Sequence, residues 1–472
     1  MMRALSGFML ISLFSAALAF FAIPLGTRLV EQDVLGQVNL LVSIALVLST
    51  IAIFGFDQGY LRFYYEQKNA GSRKRLLFLS SFTPLAVALF FVTVFFVWRD
   101  WLGSYLGGDS LAVSLCLGCL VVALILIRFA ICFCRVSNWL WLFGLFTIIN
   151  ILFSKCAYLL GFGEKGFSAI AATIAIVAAI AIAACAVFLL KFNWPRYEES
   201  GGSLFRDLCR YSAPLMPAML LSNLNAAIPL FMIRAVIDFN AAGLFSMTVT
   251  VAAVVNVIGS GVNSFWPTYV FQHYASKQHI VQLFHQVLVS GMFVLASILI
   301  MLRFMIPVFL GESYMDASPL FAILLISPFC YTVGETAGTG IHIAKKSSFF
   351  LGIYAVGLVL NVILCALLLH CFGVMGAAIS VAVTAAIMLF LKAIIGGRLY
   401  NSTGSLRWVF SSVFLLGVQA FSCQLVESYA ATVCISVACL AFFPFLVGIE
   451  KFSYSCREAL GFLCALFRRR GL

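Results

Sequence analysis

The stretch GFDQGYLRFYYE, residues 55–66, closes an apolar run that begins near residue 38 and brings Asp57, Arg62 and Glu66 together among three tyrosines. Lys68, Arg73, Lys74 and Arg75 follow directly. Basic residues gather in the short cytoplasmic loops of membrane proteins, so a span that runs into such a cluster has emerged into the cytoplasm. The stretch therefore marks the end of a span and the direction in which the chain is threaded.

The composition agrees. Of 472 residues, 63% are hydrophobic and 10% charged, whereas a soluble domain carries roughly 25% charged residues. The formal charge of +12 would suggest nucleic acid in a soluble protein. Here the basic residues punctuate apolar runs, so topology accounts for them and no nucleic-acid partner is expected. Residues 1–25 imitate a secretory signal, with Arg3 before an apolar run and small residues at Ala17 and Ala19. The run continues through Pro24 and Leu25, so it is read as a first span. Most of the fifteen cysteines lie inside apolar segments, where Cys packs as a small hydrophobe. Cys116 and Cys119 have no histidine at ligand spacing, so no metal is expected.

A helix needs about 20 apolar residues to cross the hydrocarbon core. Such runs centre on 8–25, 38–56, 77–97, 111–134, 140–160, 167–190, 212–233, 243–265, 284–308, 320–340, 348–371, 376–396, 408–425 and 429–449. The sequence thus predicts an all-α polytopic membrane protein of about fourteen helices, with twelve also consistent if the last pair is dropped. With both termini in the cytoplasm, only five of the 29 basic residues fall outside (Arg28, Arg99, Lys165, Arg234, Arg303) and two fall within spans (Arg128, Lys155). The other 22 are assigned to the inner side, which supports both the count and the orientation.

The two halves echo one another. Trp98–Gly107 aligns with Leu302–Gly311 at an offset of 204, Asn150 with Asn361 at 211, and Leu35–Gly36 with Ala242–Gly243 at 207. Two copies of a six-helix unit share topology and are related by a pseudo-twofold axis along the membrane normal. The expected organisation is an N-terminal lobe over 1–195, a cytoplasmic linker over 196–210 and a C-terminal lobe over 211–400. Two extra helices over 401–450 and a basic tail over 451–472 complete the chain.

The segments PLGTRLVEQDVLGQ (24–37), GFDQGYLRFYYE (55–66), YSAPLMPAML (211–220), FWPTYV (265–270), FLGESYMDASPL (309–320) and NVILCALLLHCFGVMGAAIS (361–380) give the chain a family likeness. In their order and spacing it resembles the polysaccharide exporters of the MOP superfamily, most closely the Wzx-type flippases of O-antigen and related lipid-linked oligosaccharides. The two final helices depart from relatives that stop at twelve. The resemblance implies two lobes that rock around a central cavity in a bacterial inner membrane. It also implies transfer of an undecaprenyl-pyrophosphate oligosaccharide from the cytoplasmic to the periplasmic leaflet. A glycan polymerase and a chain-length regulator would be its partners, beside membrane lipids. Other exporters of the superfamily, for drugs or other lipid-linked precursors, form the alternative.

No bond need be made or broken, and no catalytic constellation is present. A polymerase or acyltransferase would need one, and the outer loops are too short to supply it. What transport needs is a polar, cationic path. Lys155 and Arg128 are the first candidates, since charges within spans face cavities or partners, unless they snorkel to the helix ends. Thr147, Asn150, Ser154 and Tyr158 recur at helical spacing beside Lys155. Arg28 and Arg234 end the first and seventh spans, where a forked guanidinium suits phosphate; anchoring beside Glu31 or Asp238 is the plainer role. Asn256, Ser260 and Asn263 share a helix face suited to sugar hydroxyls or to packing. Asp57, Arg62 and Glu66 form a candidate cytoplasmic gate or a plain helix-end cluster. Glu335, near His342, is the candidate for ion coupling or for an interhelical hydrogen bond. No cofactor is expected beyond a proton gradient or the membrane potential.

Overall fold

A computed structural model describes residues 2–67, 69–161, 166–193, 202–257, 259, 266, 270, 278–344, 346, 348–426, 428–455 and 457. All regular structure among them is helical, because only a helix satisfies its own backbone within a bilayer without closing a barrel. Eleven helices are long and apolar enough to cross a membrane, and three shorter apolar ones (Ala17–Leu29, Leu140–Lys155, Phe239–Ala252) complete the set. Together they overlap each of the fourteen apolar runs. The protein is an all-α polytopic membrane protein.

The chain forms two compact units, Met1–Ser246 and Met247–Leu472. The first contains α1 (Met2–Leu29), α2 (Gln32–Ile53), α3 (Phe56–Phe63), α4 (Ala70–Val97), α5 (Arg99–Leu106), α6 (Ser110–Val136), α7 (Leu140–Lys155), α8 (Phe167–Asn193), α9 (Gly202–Ser212), α10 (Met216–Val236) and most of α11 (Phe239–Ala252). Its core is α6, which Asp109 starts by accepting a hydrogen bond from the Ala112 amide at 2.9 Å. α6 packs on α2, α4, α7 and α8.

Residues 55–66 are not the plain end of α2. Phe54 and Gly55 both take left-handed backbone angles, with φ of 52° and 75°, and turn the chain into the separate helix α3. Gly55 bears this conformation without a Cβ penalty. Residues 202–212, expected to belong largely to a linker, are also helical. Leu204, Leu208 and Tyr211 recur at helical spacing, and Leu208 is fully buried. α9 lies on α3: Phe205 meets Phe56 and Tyr211 meets Phe63 edge-on, and Gly59 leaves room for Leu208 and Ser212.

α2 also carries a seam with α10 and α11. A Cβ on Gly36 would strike the Phe239 carbonyl, and one on Gly243 would strike the Gln32 carbonyl. Under the 207-residue offset these contacts exchange: 36 maps to 243 and 32 to 239. Asn39 and Ser246, another pair at that offset, share a hydrogen bond of 2.9 Å. Gln32 donates to the Asn240 carbonyl at 3.1 Å and Asn223 to the Thr50 hydroxyl at 2.7 Å. Small residues and polar bonds hold helices together where hydrophobicity gives no preference. The seam lies within the first compact unit, whose boundary with the second falls inside α11, after Ser246.

The second unit contains α12 (Gln278–Met301), α13 (Ile306–Leu310), α14 (Ala317–Leu324), α15 (Ile326–Ala337), α16 (Thr339–Ile343), α17 (Ser348–Phe372), α18 (Val374–Leu399), α19 (Arg407–Leu425) and α20 (Tyr429–Val447). The path α14–α16 is its most buried span and packs against α12, α18 and α19. α17 and α18 form a hairpin turned by Gly373 at φ 56°. α19 and α20 are firmly attached: Gln419 donates to Ser297 at 3.1 Å, and Phe443 stacks on Phe293 at 4.6 Å.

Candidate functional site

Three ion pairs form among the described residues. Arg99 and Asp100 are exposed neighbours in sequence. The other two join helices, and one lies in each unit.

In the first unit, Arg128 of α6 reaches Asp57 of α3. Its Nη2 and Nε lie 2.7 and 3.0 Å from Asp57 Oδ2, and Gln58 donates to the same oxygen at 3.0 Å. The Asp57 side chain is 1% exposed and that of Arg128 43%. Asp57 Oδ1 is buried without a hydrogen-bond partner. Arg128 therefore does not snorkel freely; it neutralises a buried acid 71 residues away. The expected cluster of Asp57, Arg62 and Glu66 is not assembled, because α3 turns these side chains to different neighbours. The Arg62 guanidinium lies over the Tyr211 ring, 5.3 Å from its centroid, and Glu66 is exposed in a single 3-10 turn. Tyr60, beside them, is fully buried, and burial pushes its phenol well above the usual range.

Arg28 and Arg234 occupy like positions, each in the last turn of its helix. Arg28 is exposed. Arg234 stacks on Phe239, 3.9 Å from the ring centroid, with Tyr105 at 6.0 Å. No ion pair joins it to Asp238, whose carboxylate accepts from the Ala241 amide at 2.7 Å. The Nε of Arg234 is buried and makes no hydrogen bond.

Lys155 is the last residue of α7 and is exposed, not part of an unbroken span to residue 160. Cys156 caps the helix through its amide, and a 3-10 turn over Ala157–Gly161 follows. The polar arc is broken accordingly. Tyr158 is buried in that turn against Gly26, Thr147 bonds its own backbone at Phe143, and Asn150 is half-buried.

In the second unit, Glu335 of α15 meets Lys392 of α18, with Nζ 3.2 Å from Oε1. Lys392 is the buried member, its side chain 4% exposed against 26% for Glu335. Tyr331, Phe350 and Tyr354 surround the ammonium, their ring centroids 5.4–5.7 Å from Nζ. An ammonium is attracted to aromatic faces at this range. His342 lies against Phe350, with ring centroids 4.5 Å apart. Gly334 permits the approach: a Cβ there would be 3.3 Å from Lys392 Cδ.

Lys392 falls inside the apolar run 376–396 but is not among the residues that the sequence singles out. Arg303, assigned to an outer loop, is also buried, at 8% exposure. It donates to the Cys423 carbonyl at 3.4 Å and the Thr432 hydroxyl at 3.2 Å, so it ties α19 and α20 to the end of α12. Asn256 is exposed; Asn263 and Ser260 lie outside the described residues, as do Lys165, Arg468, Arg469 and Arg470.

No family model and no curated protein sequence matches the chain. Among solved structures it is similar to lipid II flippase MurJ in an inward closed conformation. The TM-score is 0.65 at 13% identity, over 95% of this chain and 99% of that one. At this identity the likeness establishes a shared fold.

Proposed function

We propose that the chain is a membrane transporter that flips a lipid-linked oligosaccharide precursor between leaflets. The observation that carries this reading is the likeness to a flippase over nearly the whole of both chains. The sequence resemblance to polysaccharide exporters and the charged, aromatic cluster around Lys392 support it. The substrate is an undecaprenyl-pyrophosphate oligosaccharide, an O-antigen or capsule repeat unit, which leaves the cytoplasmic leaflet of a bacterial inner membrane. The two repeats act as lobes in alternating access, with both termini in the cytoplasm. The Gly36–Gly243 seam, where equivalent residues meet, is consistent with that duplication. Glycan polymerase and chain-length regulator are its downstream partners, and the chain itself catalyses no bond change.

The head group carries about two negative charges, and each gains about 2.3 kcal/mol per 100 mV on leaving a negative-inside cell. Outward flipping is therefore electrically downhill without an antiported ion, provided that no counter-charge travels with the head group. The test is rescue of surface glycan in a strain lacking its own oligosaccharide flippase, with protein levels matched. A second reading, a precursor of the lipid II type, is favoured by the likeness to a lipid II flippase. Rescue of a strain depleted of its lipid II flippase, without rescue of surface glycan, would select it.

A further inference from the structure

The span formed by α14–α16 is buried almost throughout, and the exceptions follow a pattern. Between Ile326 and His342, only Ser327, Tyr331, Glu335 and His342 are not buried. Their spacing of four, four and seven residues puts them on one face of a helix. A single polar facet is thus left open on a helix that otherwise serves as core. A carboxylate on a lipid-facing stripe would be costly, so such a facet faces water or a ligand.

The groups that border the facet make a chemically specific set. Tyr331 is 50% exposed, and Phe350 and Tyr354 of α17 are half-buried beside it. Below them lies Lys392, with three N–H donors and one carboxylate oxygen, Glu335 Oε1, at 3.2 Å. The ring faces of Tyr331, Phe350 and Tyr354 lie around it at 5.4–5.7 Å. Those faces attract the charge but accept hydrogen bonds weakly, so the ammonium keeps donor capacity that a further oxyanion would use. Glu335, partly exposed, is the member of the pair that can move toward solvent. Stacking faces, a carboxylate acceptor for hydroxyls and a cation with an exchangeable counter-ion are together the chemistry of saccharide recognition. A bare phosphate needs only the cation.

We propose that this facet is a saccharide-binding site, in which Lys392 exchanges Glu335 for an acidic substituent of the bound sugar. The proposal rests on the reading of the chain as an oligosaccharide transporter and specifies the substrate class as an acidic glycan. A pyranose face lies on Tyr331, its hydroxyls are met by Ser327 or His342, and its carboxylate reaches Lys392. Glu335 holds the cation neutral while the site is empty, which lowers the cost of keeping it buried.

The test uses the full chain in lipid nanodiscs and three soluble probes. These are a tetrasaccharide of alternating glucuronic acid and N-acetylglucosamine, neutral chitotetraose, and inorganic pyrophosphate. The acidic tetrasaccharide should bind more tightly than chitotetraose. Lys392→Gln should weaken the acidic probe by about tenfold or more and chitotetraose by less than about twofold, while Lys392→Arg retains most of the acidic binding. Glu335→Gln should tighten the acidic probe, because the internal competitor for Lys392 is gone. Tyr331→Ala should weaken both sugars. Equal weakening by Glu335→Gln and Lys392→Gln would reduce the pair to a structural brace and overturn the proposal. Pyrophosphate that displaces the tetrasaccharide with equal strength would assign the site to the carrier's phosphates and also overturn it. So would the absence of any difference between acidic and neutral sugars. These outcomes are separable from the transporter reading. Failed glycan rescue with selective binding removes the transport role alone, and rescue without selective binding removes this site alone.

Discussion

The two interhelical ion pairs are mirror images in their burial. In Asp57–Arg128 the acid is sealed and the arginine half in solvent; in Glu335–Lys392 the lysine is sealed and the carboxylate partly open. The first acid is further held by Gln58, on the neighbouring position. Beyond Glu335, the second cation is surrounded by three aromatic rings and makes no further hydrogen bond among the described residues. Whichever member is open is the one that can be exchanged. Releasing Arg128 would strand a buried carboxylate whose other oxygen is already unpartnered. Releasing Glu335 leaves a cation in an environment that still attracts it. The first pair is built to stay closed and to pin α3, and with it α9, to α6. The second is built to open.

The sharpest way to break this contrast is Arg128→Met, which should cost on the order of 3 kcal/mol by leaving Asp57 buried and uncompensated. A loss of thermal stability of the purified protein would report it. The double variant with Asp57→Leu should recover most of the loss, and no recovery would mean that Arg128 acts through some other contact. Next is transport per folded molecule. Lys392→Gln should lower glycan rescue by about tenfold or more, equivalent to at least about 1.4 kcal/mol, whereas Asp57→Asn should leave it within about twofold at matched protein levels. A transport defect in Asp57→Asn at normal stability would give the first pair a role in the cycle.

At the seam, Gly243→Val should destabilise by about 1–3 kcal/mol, since its side chain would enter the Gln32 carbonyl. Gly291→Val, where a Cβ meets nothing within 4 Å, is the control and should cost less. Equal melting temperatures for the two would deny the seam its tight contact. The smallest effect is expected from Arg234→Lys, which trades a stacked guanidinium for a point charge over Phe239 and should cost about 0.5–1 kcal/mol. If it is neutral for stability but lowers transport, Arg234 belongs to the substrate path, as its position at the end of α10 first suggested.

Hydropathy and charge asymmetry alone determined the helical class, the fourteen apolar segments and an expected threading. Backbone groups in hydrocarbon leave a chain little choice but to form helices about 20 residues long. The 207-residue echo of Leu35–Gly36 in Ala242–Gly243 was likewise legible, and the structure brings those same glycines' helices into contact. Legible too was that Glu335 is unusual, because acids are rare in such runs. What the sequence could not supply was the partner of each charge. Helices that are apolar on nearly every side carry little periodic signal of which face turns inward, and the pairs form across 57 and 71 residues. Only packing decided that Arg128 meets Asp57, that Lys392 lies among aromatic rings, and that α7 stops at Lys155. In lipid the hydrophobic effect does not orient a helix about its own axis. Close backbone approach and buried polar contacts do, and these exist only once the tertiary structure has formed.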